Sequence, residues 1–277
     1  MDFLWPQIVA AVEKLLLLSI FFIGLGLVIK QDRFWAYGRE AAREVRLNLV
    51  YYAISVAVLS PLLGPVKNGL IVAIYGVGLD LRHPPDYAGI HWGWVLLATV
   101  VVSDLVGYWR HRLMHTAWLW PAHAIHHSDT AMTWISLARF HPVNKLITMG
   151  FDTAVLVMLG LPPWAIVMNM VIRNLYGYWE HADIPWTYGP LKYLFVSPVM
   201  HRWHHVKEGA GRGSNFATIF AVYDLVFGTY YVPACQVTPL GITEPDFPDG
   251  WLRQTLYPFT IWLRPVLKPA PPAPTPQ

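Results

Sequence analysis

The 277-residue chain contains one cysteine, Cys235, and only 13% of its residues are charged. A lone cysteine makes no intrachain disulfide and builds no thiolate zinc or iron–sulfur site. The shortage of charge excludes more, because soluble domains carry about 25% charged residues. Here hydrophobic residues reach 55% and mean hydropathy is +0.37, which indicates a membrane protein. The formal charge of +3 is small and the basic residues line no single polar face, so nucleic acid is set aside as a partner. The N-terminus lacks the basic n-region of a signal peptide. It carries Glu13 and Lys14 before its longest apolar run, so it reads as an uncleaved anchor.

Residues 15–29, with their apolar flank, are long enough for a bilayer, which takes about 20 apolar residues. The loop expected after them holds Lys30, Arg33, Arg39, Arg43 and Arg46, and the positive-inside rule makes it cytoplasmic. Two apolar runs follow, LVYYAISVAVLSPLLG and GLIVAIYGVGL. Pro61, Gly64 and Pro65 divide them into two spans or one broken helical pair. The second run is too short to cross alone and is expected at the interface. After the polar connector DLRHPPD, the segment HWGWVLLATVVVSDLVGYW leads straight into histidines. Arg110, Arg112, Arg139, Lys145, Arg202 and Lys207 around them favour the cytoplasmic side again. Between Ile147 and Ile172 the interruption LGLPP predicts a hairpin that returns to its starting face. Asp224 within FATIFAVYDLVFGTYYVP is expensive in lipid, so that segment is expected to pack on protein. From Leu267 a proline-rich tail reads as extended and disordered. The 14 tryptophans and 14 tyrosines fit an interfacial aromatic belt.

Three stretches concentrate imidazoles: HRLMH (His111, His115), HAIHH (His123, His126, His127) and HRWHH (His201, His204, His205). Positions i, i+3 and i+4 share a helical face. Pro121 and the pair Ser197–Pro198 are suited to helix starts, placing the two triplets in first turns. A single HxxxH arises often by chance, but two HxxHH and one HxxxH within about a hundred residues do not. Eight histidines exceed what one tetrahedral ion uses, which points to two metals, and nitrogen ligands without thiolates admit iron or zinc alike. His181, in NLYGYWEHAD, is the candidate ninth ligand; the alternative is a hydrogen-bonded interfacial histidine. Asp104 stands two turns before His111 and is placed to hydrogen-bond a ligating ring, unless it serves a cap or an interhelical contact. His141, Asn174 and Asn215 are further candidates for supporting the ligands. His83 and His91 read as solvated.

Taken in order, HRLMH, HHSDT, RFHP, a lone downstream histidine and SPVMHRWHH resemble the fatty acid hydroxylase/sterol desaturase superfamily of integral membrane diiron enzymes. The likeness spans roughly Asp104 to Tyr230. It departs from the pattern at Asn144, where an acidic residue often follows FHP, and at Gly177, where some relatives place a paired histidine. The resemblance implies an all-α fold, an integral membrane helical bundle with a cytosolic histidine-rich metal-binding cap. It implies anchoring helices in 1–103, a catalytic region in 104–233 and a C-terminal segment in 234–277. It also implies O2 activation at two iron ions, with zinc admissible in a purified sample, and attack on an unactivated C–H bond of a lipid. The metal role falls on His111, His115, His123, His126, His127, His201, His204 and His205, with His181 as the ninth. The chain shows no cytochrome b5-like haem segment and no GxGxxG fingerprint, so electrons are expected from a separate cytochrome b5-, ferredoxin- or flavoprotein-like donor. Two other readings remain open on sequence: a bis-histidine haem electron carrier and a non-catalytic metal-binding membrane protein.

Overall fold

The computed structural model describes residues 4–76, 87–233 and 239–267. Cys235, His83 with the whole DLRHPPD connector, and the tail after Leu267 lie outside the described residues. The fold is helical, with α1 (Leu4–Lys30), α2 (Phe34–Ile54), α3 (Ser60–Gly76), α4 (Trp92–Met114), α5 (Trp120–His127), α6 (Pro142–Met158), α7 (Pro163–Glu180), α8 (Pro198–His204), α9 (Val222–Val226) and α10 (Trp251–Leu267). Among the described residues there is no strand, only an isolated bridge between Val206 and Leu240.

Two expectations about the first half are corrected. The basic stretch after α1 is not a loop: apart from the tight turn Gln31–Arg33 it forms α2, whose buried residues include Ala41, Glu44, Asn48 and Tyr51. These recur at intervals of three and four, a helical stripe hidden among basic residues on the other faces. Nor do Pro61 and Pro65 divide the two apolar runs. A five-residue π segment, Ser55–Leu59, joins α2 to α3, and its wider turn leaves room for the ring of Pro61.

The starts of the shorter helices follow their local sequence. Pro142 and Pro198 occupy the first helical positions of α6 and α8, where a missing N–H costs nothing. His141 Nδ1 accepts the Val143 N–H at 3.1 Å, and Ser197 Oγ accepts the Met200 N–H at 3.1 Å. The interruption LGLPP separates α6 from α7, and both arms pack on α4, which also meets α5. Helix α10, which no sequence feature announced, packs on α5 and α2.

Two helical stretches, Trp5–Ile74 and Trp92–Met114, are apolar and long enough to cross a membrane. Helix α1 turns Leu18, Phe22, Leu25 and Ile29 towards Trp134, Tyr178 and Trp179, while Leu17, Ile20 and Val28 on its remaining surface are 68–73% exposed. A helix apolar on both its packed and its open faces needs lipid, not water, on the open side.

The strongest polar brace joins α2 to the segment after α5. Arg139, 1% exposed, donates to Glu44 Oε2 at 2.5 Å and to Asn48 Oδ1 at 2.6 Å; Asn48 and Ser136 both donate to Asp129 Oδ2. Removing one partner of a buried ion pair strands the other charge. Arg139→Ala is therefore expected to destabilise the fold by about 3–5 kcal/mol. Thermal unfolding in detergent checks this; a midpoint equal to wild type would contradict it.

Candidate metal centre

Nine imidazoles converge on one region of the structure, from four chain segments. His111 and His115 end α4; His123, His126 and His127 belong to α5; His181 follows α7; His201, His204 and His205 belong to α8 and its C-cap. The triplets do not sit only in first turns as the prolines implied. Helices α5 and α8 are eight and seven residues long, so the histidines run through to their last turns.

The ring nitrogens divide into two sets within each of which they lie no more than 4.8 Å apart. One set is His111, His115, His123, His127 and His204; the other is His126, His181, His201 and His205. In the second, Nε2 atoms approach each other at 3.1 Å (His126–His181), 3.1 Å (His181–His201) and 3.2 Å (His201–His205); in the first, His123 and His127 do so at 3.2 Å. Nitrogens about 2.0–2.1 Å from one tetrahedral ion lie about 3.3 Å apart, so the residues present fit metal coordination. The sets touch where His127 stacks on His205, ring centres 4.3 Å apart.

Burial leaves these rings uncharged. His181 and His204 are each held down at about 4, chiefly by desolvation. His123, His126, His127, His201 and His205 lie well below the usual histidine value, again mainly by desolvation and then through the neighbouring imidazoles. Backbone carbonyls fix three of the tautomers. His111, His181 and His204 donate Nδ1–H to Phe216 O at 2.9 Å, Gly177 O at 2.6 Å and Ser214 O at 2.6 Å, which turns each Nε2 lone pair inward. His204 Nε2, His115 Nε2 and the Nδ1 atoms of His126, His201 and His205 are buried with no hydrogen-bond partner in the protein. An unpartnered buried nitrogen is costly unless it serves a ligand, as the inward Nε2 of His204 would.

The four supporting candidates fare differently. Asp104 does not reach a histidine. It accepts from Arg173 at 2.5 Å and from the Ile219 and Phe220 N–H groups at 3.1 and 2.7 Å, tying down the loop whose Phe216 carbonyl holds His111. Gly107 makes this possible, since a Cβ there would lie 2.3 Å from the Arg173 guanidinium. His141 is structural: besides capping α6 it donates Nε2–H to the Thr255 carbonyl at 2.9 Å, linking α6 to α10. Asn174 accepts from Lys14 at 3.3 Å. Asn215, with φ of 57°, donates to the Met200 and Tyr231 carbonyls and so holds its neighbours Ser214 and Phe216 in place.

Two contacts were not foreseen. The Asn144 amide lies 3.3 Å from His123 Nδ1. With its oxygen turned to the ring it accepts Nδ1–H and frees Nε2 for a ligand. Glu180, 4% exposed, sets a carboxylate oxygen 3.7 Å from His201 Nδ1. Its place directly before His181 was the available signal. At Gly177 a Cβ would press on the Leu137 side chain at 3.0 Å, so a larger residue there would have to displace that leucine.

A cavity of about 640 Å³ opens beside the rings, reaching His111 and His123 of one set and His126, His181 and His201 of the other.

Comparison with known proteins bears on this arrangement. Residues 96–229 match the family model "Fatty acid hydroxylase". The chain is 31% identical over 163 residues to ornithine lipid hydroxylase OlsE of Rhizobium tropici, covering 58% of this chain and 49% of that protein. It is 30% identical over 176 residues to alkylglycerol monooxygenase of Danio rerio, covering 62% and 38%. It is 29% identical over 146 residues to the very-long-chain aldehyde decarbonylase GL1-11 of Oryza sativa subsp. indica, covering 50% and 54%. The chain thus spans about half the length, or less, of these relatives. No solved structure matches it.

Rings held at about 4 in the fold titrate near 6.5 when unfolded, so between those values the unfolded chain binds more protons. Stability is therefore complete above about pH 6.5 and falls as pH drops towards 4, by about 1.4 kcal/mol per pH unit for each extra proton. Thermal unfolding of metal-free protein across this range tests the sign. A midpoint that holds or rises on acidification would show that the rings are not buried neutral.

Proposed function

Because residues 96–229 place the chain in the fatty acid hydroxylase/sterol desaturase superfamily, we propose that it is a membrane oxygenase that uses O2 and external electrons to hydroxylate or desaturate a lipid. The observation that carries this reading is the gathering of nine buried imidazoles, in a set of five and a set of four, beside a cavity that five of them line. In this reading residues 104–233 are the catalytic region, 1–103 anchor it, and 234–277 add α10 and the tail.

His111, His115, His123, His127 and His204 would hold one iron, and His126, His181, His201 and His205 the other. Bound iron would supply O2 activation and hydrogen abstraction from an unactivated C–H bond, which no side chain performs. The chain's own groups do the positioning. The carbonyls of Phe216, Gly177 and Ser214 keep three Nε2 lone pairs aimed inward, and the Asp104–Arg173 pair keeps the loop bearing Phe216 against α4. Val106, Leu137, Met149 and Met170 line the approach, where they exclude water and align a hydrocarbon chain. A cytoplasmic position for the site is supported by the basic residues of α2 and by Arg202 and Lys207.

Neighbouring Nε2 atoms 3.1–3.2 Å apart leave no space for a porphyrin between two rings, which argues against a bis-histidine haem carrier. A lipid substrate is in keeping with relatives named for ornithine lipid and alkylglycerol. The electron donor would be a separate cytochrome b5-, ferredoxin- or flavoprotein-like protein.

Purified protein is expected to carry two non-haem metal ions per chain, iron or adventitious zinc, with no Soret band. His204→Ala should lower the metal content, and lipidomics of an expressing strain should lose an O2-dependent product when that variant replaces wild type. Identical lipid profiles for the two strains would defeat the enzyme reading.

A further inference from the structure

The cavity beside the histidines is not uniformly apolar. Val56, Leu63, Leu156, Ile166 and Met170 line it, but so do Lys14 and Lys145. Cations among membrane-embedded helices are expensive unless paired, and those without a partner mark ligand pathways. The two guanidinium groups on the same cavity are paired, Arg110 with Asp152 at 2.8 Å and Arg173 with Asp104 at 2.5 Å. The lysines are not. Lys14 Nζ donates to Asn174 Oδ1 at 3.3 Å and lies 5.4 and 5.8 Å from the ring centres of Tyr178 and Tyr52. Lys145 Nζ donates to the Ser55 hydroxyl. Among the described residues neither ammonium meets a carboxylate. The remaining acid on the wall, Glu180, stands at the histidine end, 3.7 Å from His201 Nδ1.

Position along the helices gives the pair a level in the cavity. Asn174, which holds Lys14, is seven residues before His181, about 10 Å along α7. Lys145 directly follows Asn144, whose amide touches His123. The apolar wall lies beyond them: Leu156 is twelve residues past Asn144, about 18 Å, and Ile166 fifteen before His181, about 22 Å. Lys67 also lines the cavity but sits about 18 Å along the helix from Ser55, at another level.

We propose that Lys14 and Lys145 seat the anionic head, carboxylate or phosphate, of an amphiphile whose chain runs along Leu63, Leu156 and Ile166 away from the histidines. The inference deepens the lipid-oxygenase reading and rests on it for its chemical consequence. The C–H bonds nearest the rings then belong to the head-group end of the substrate, not to the chain terminus. An anion between the two ammonium groups offsets their mutual repulsion and supplies the charged acceptor that Ser55, Asn174 and the tyrosine rings do not.

Binding to the full chain in neutral detergent tests this without turnover. Hexadecyl phosphate and hexadecanoate are expected to bind about tenfold or more tightly than hexadecanol, the difference that goes with a charge-assisted hydrogen bond. The double variant Lys14→Gln/Lys145→Gln should lose that preference while still binding hexadecanol and eluting as a single species; Lys14→Arg/Lys145→Arg should keep most of it. Equal binding of alcohol and anion by wild type, or an undiminished preference in the glutamine variant, would overturn the proposal. Inorganic phosphate displacing hexadecanoate as well as hexadecyl phosphate does would also overturn it, since the site would then take a free anion. If the preference depends on the lysines but no lipid product forms with O2, the oxygenase reading fails and the seat stands. If product forms and the preference is absent, the reverse holds.

Discussion

Everything in this molecule is arranged around the burial of nine rings that must stay uncharged together. Imidazole nitrogens facing one another at 3.1–3.2 Å tolerate at most a shared proton between neighbours, and a second positive ring in the same dry volume is strongly opposed. Such a cluster is a poor core and a good cage. Its cost falls when a cation occupies the converging lone pairs, and it rises steeply when protons do. Three rings have their tautomer fixed by backbone carbonyls, so the inward direction of the lone pairs is built into the chain trace and does not wait for a ligand.

That constraint explains why so much polar structure lies outside the rings. The carbonyls of Ser214 and Phe216 flank Asn215, whose left-handed backbone and two carbonyl contacts set the loop. Asp104 and Asp224 secure the following residues by accepting the backbone N–H groups of Phe216, Ala217, Ile219 and Phe220. Asp224 thus packs on protein, as its expense in lipid required. On the opposite side α2 delivers Glu44 and Asn48 to Arg139, behind His126 and Phe140, whose rings stack at 4.4 Å. Helix α2 and the histidine-bearing segments are therefore one mechanical unit.

How much of this was legible in the sequence depends on the range of the interaction. The spacing i, i+3, i+4 is a property of one helix, so the faces of α4, α5 and α8 could be read from HRLMH, HAIHH and HRWHH. The proline and serine starts of α5 and α8 were legible for the same reason. His181 stood alone, without a periodic partner, and only the fold brings it to His126 and His201. Partners supplied by distant backbone carry no side-chain signature, which is why the sequence leaves Asp104 open between a ligating ring and an interhelical contact, and the fold decides for Arg173 and two amides. The basic residues of α2 masked its buried stripe, because a positive charge count describes the exposed faces and is silent about the face that docks. Pro61 was read as a break because periodicity does not register a π turn.

The same long-range logic governs what the cavity accepts. Five cations line it, and the fold neutralises two of them, Arg110 and Arg173, with carboxylates from other helices, Asp152 and Asp104. A chain able to place those acids so close to the guanidinium groups leaves Lys14 and Lys145 with only neutral partners on the same wall. In a low-dielectric setting that asymmetry has an electrostatic consequence: the cavity carries net positive potential between an apolar wall and a cluster of neutral rings. A ligand that is negative at one level and hydrocarbon below it complements both, whereas a wholly apolar ligand would leave the charge unanswered. Under the proposed head-group seat, the polarity of the cavity would set a bound amphiphile with its charged end towards the histidines and its chain away from them.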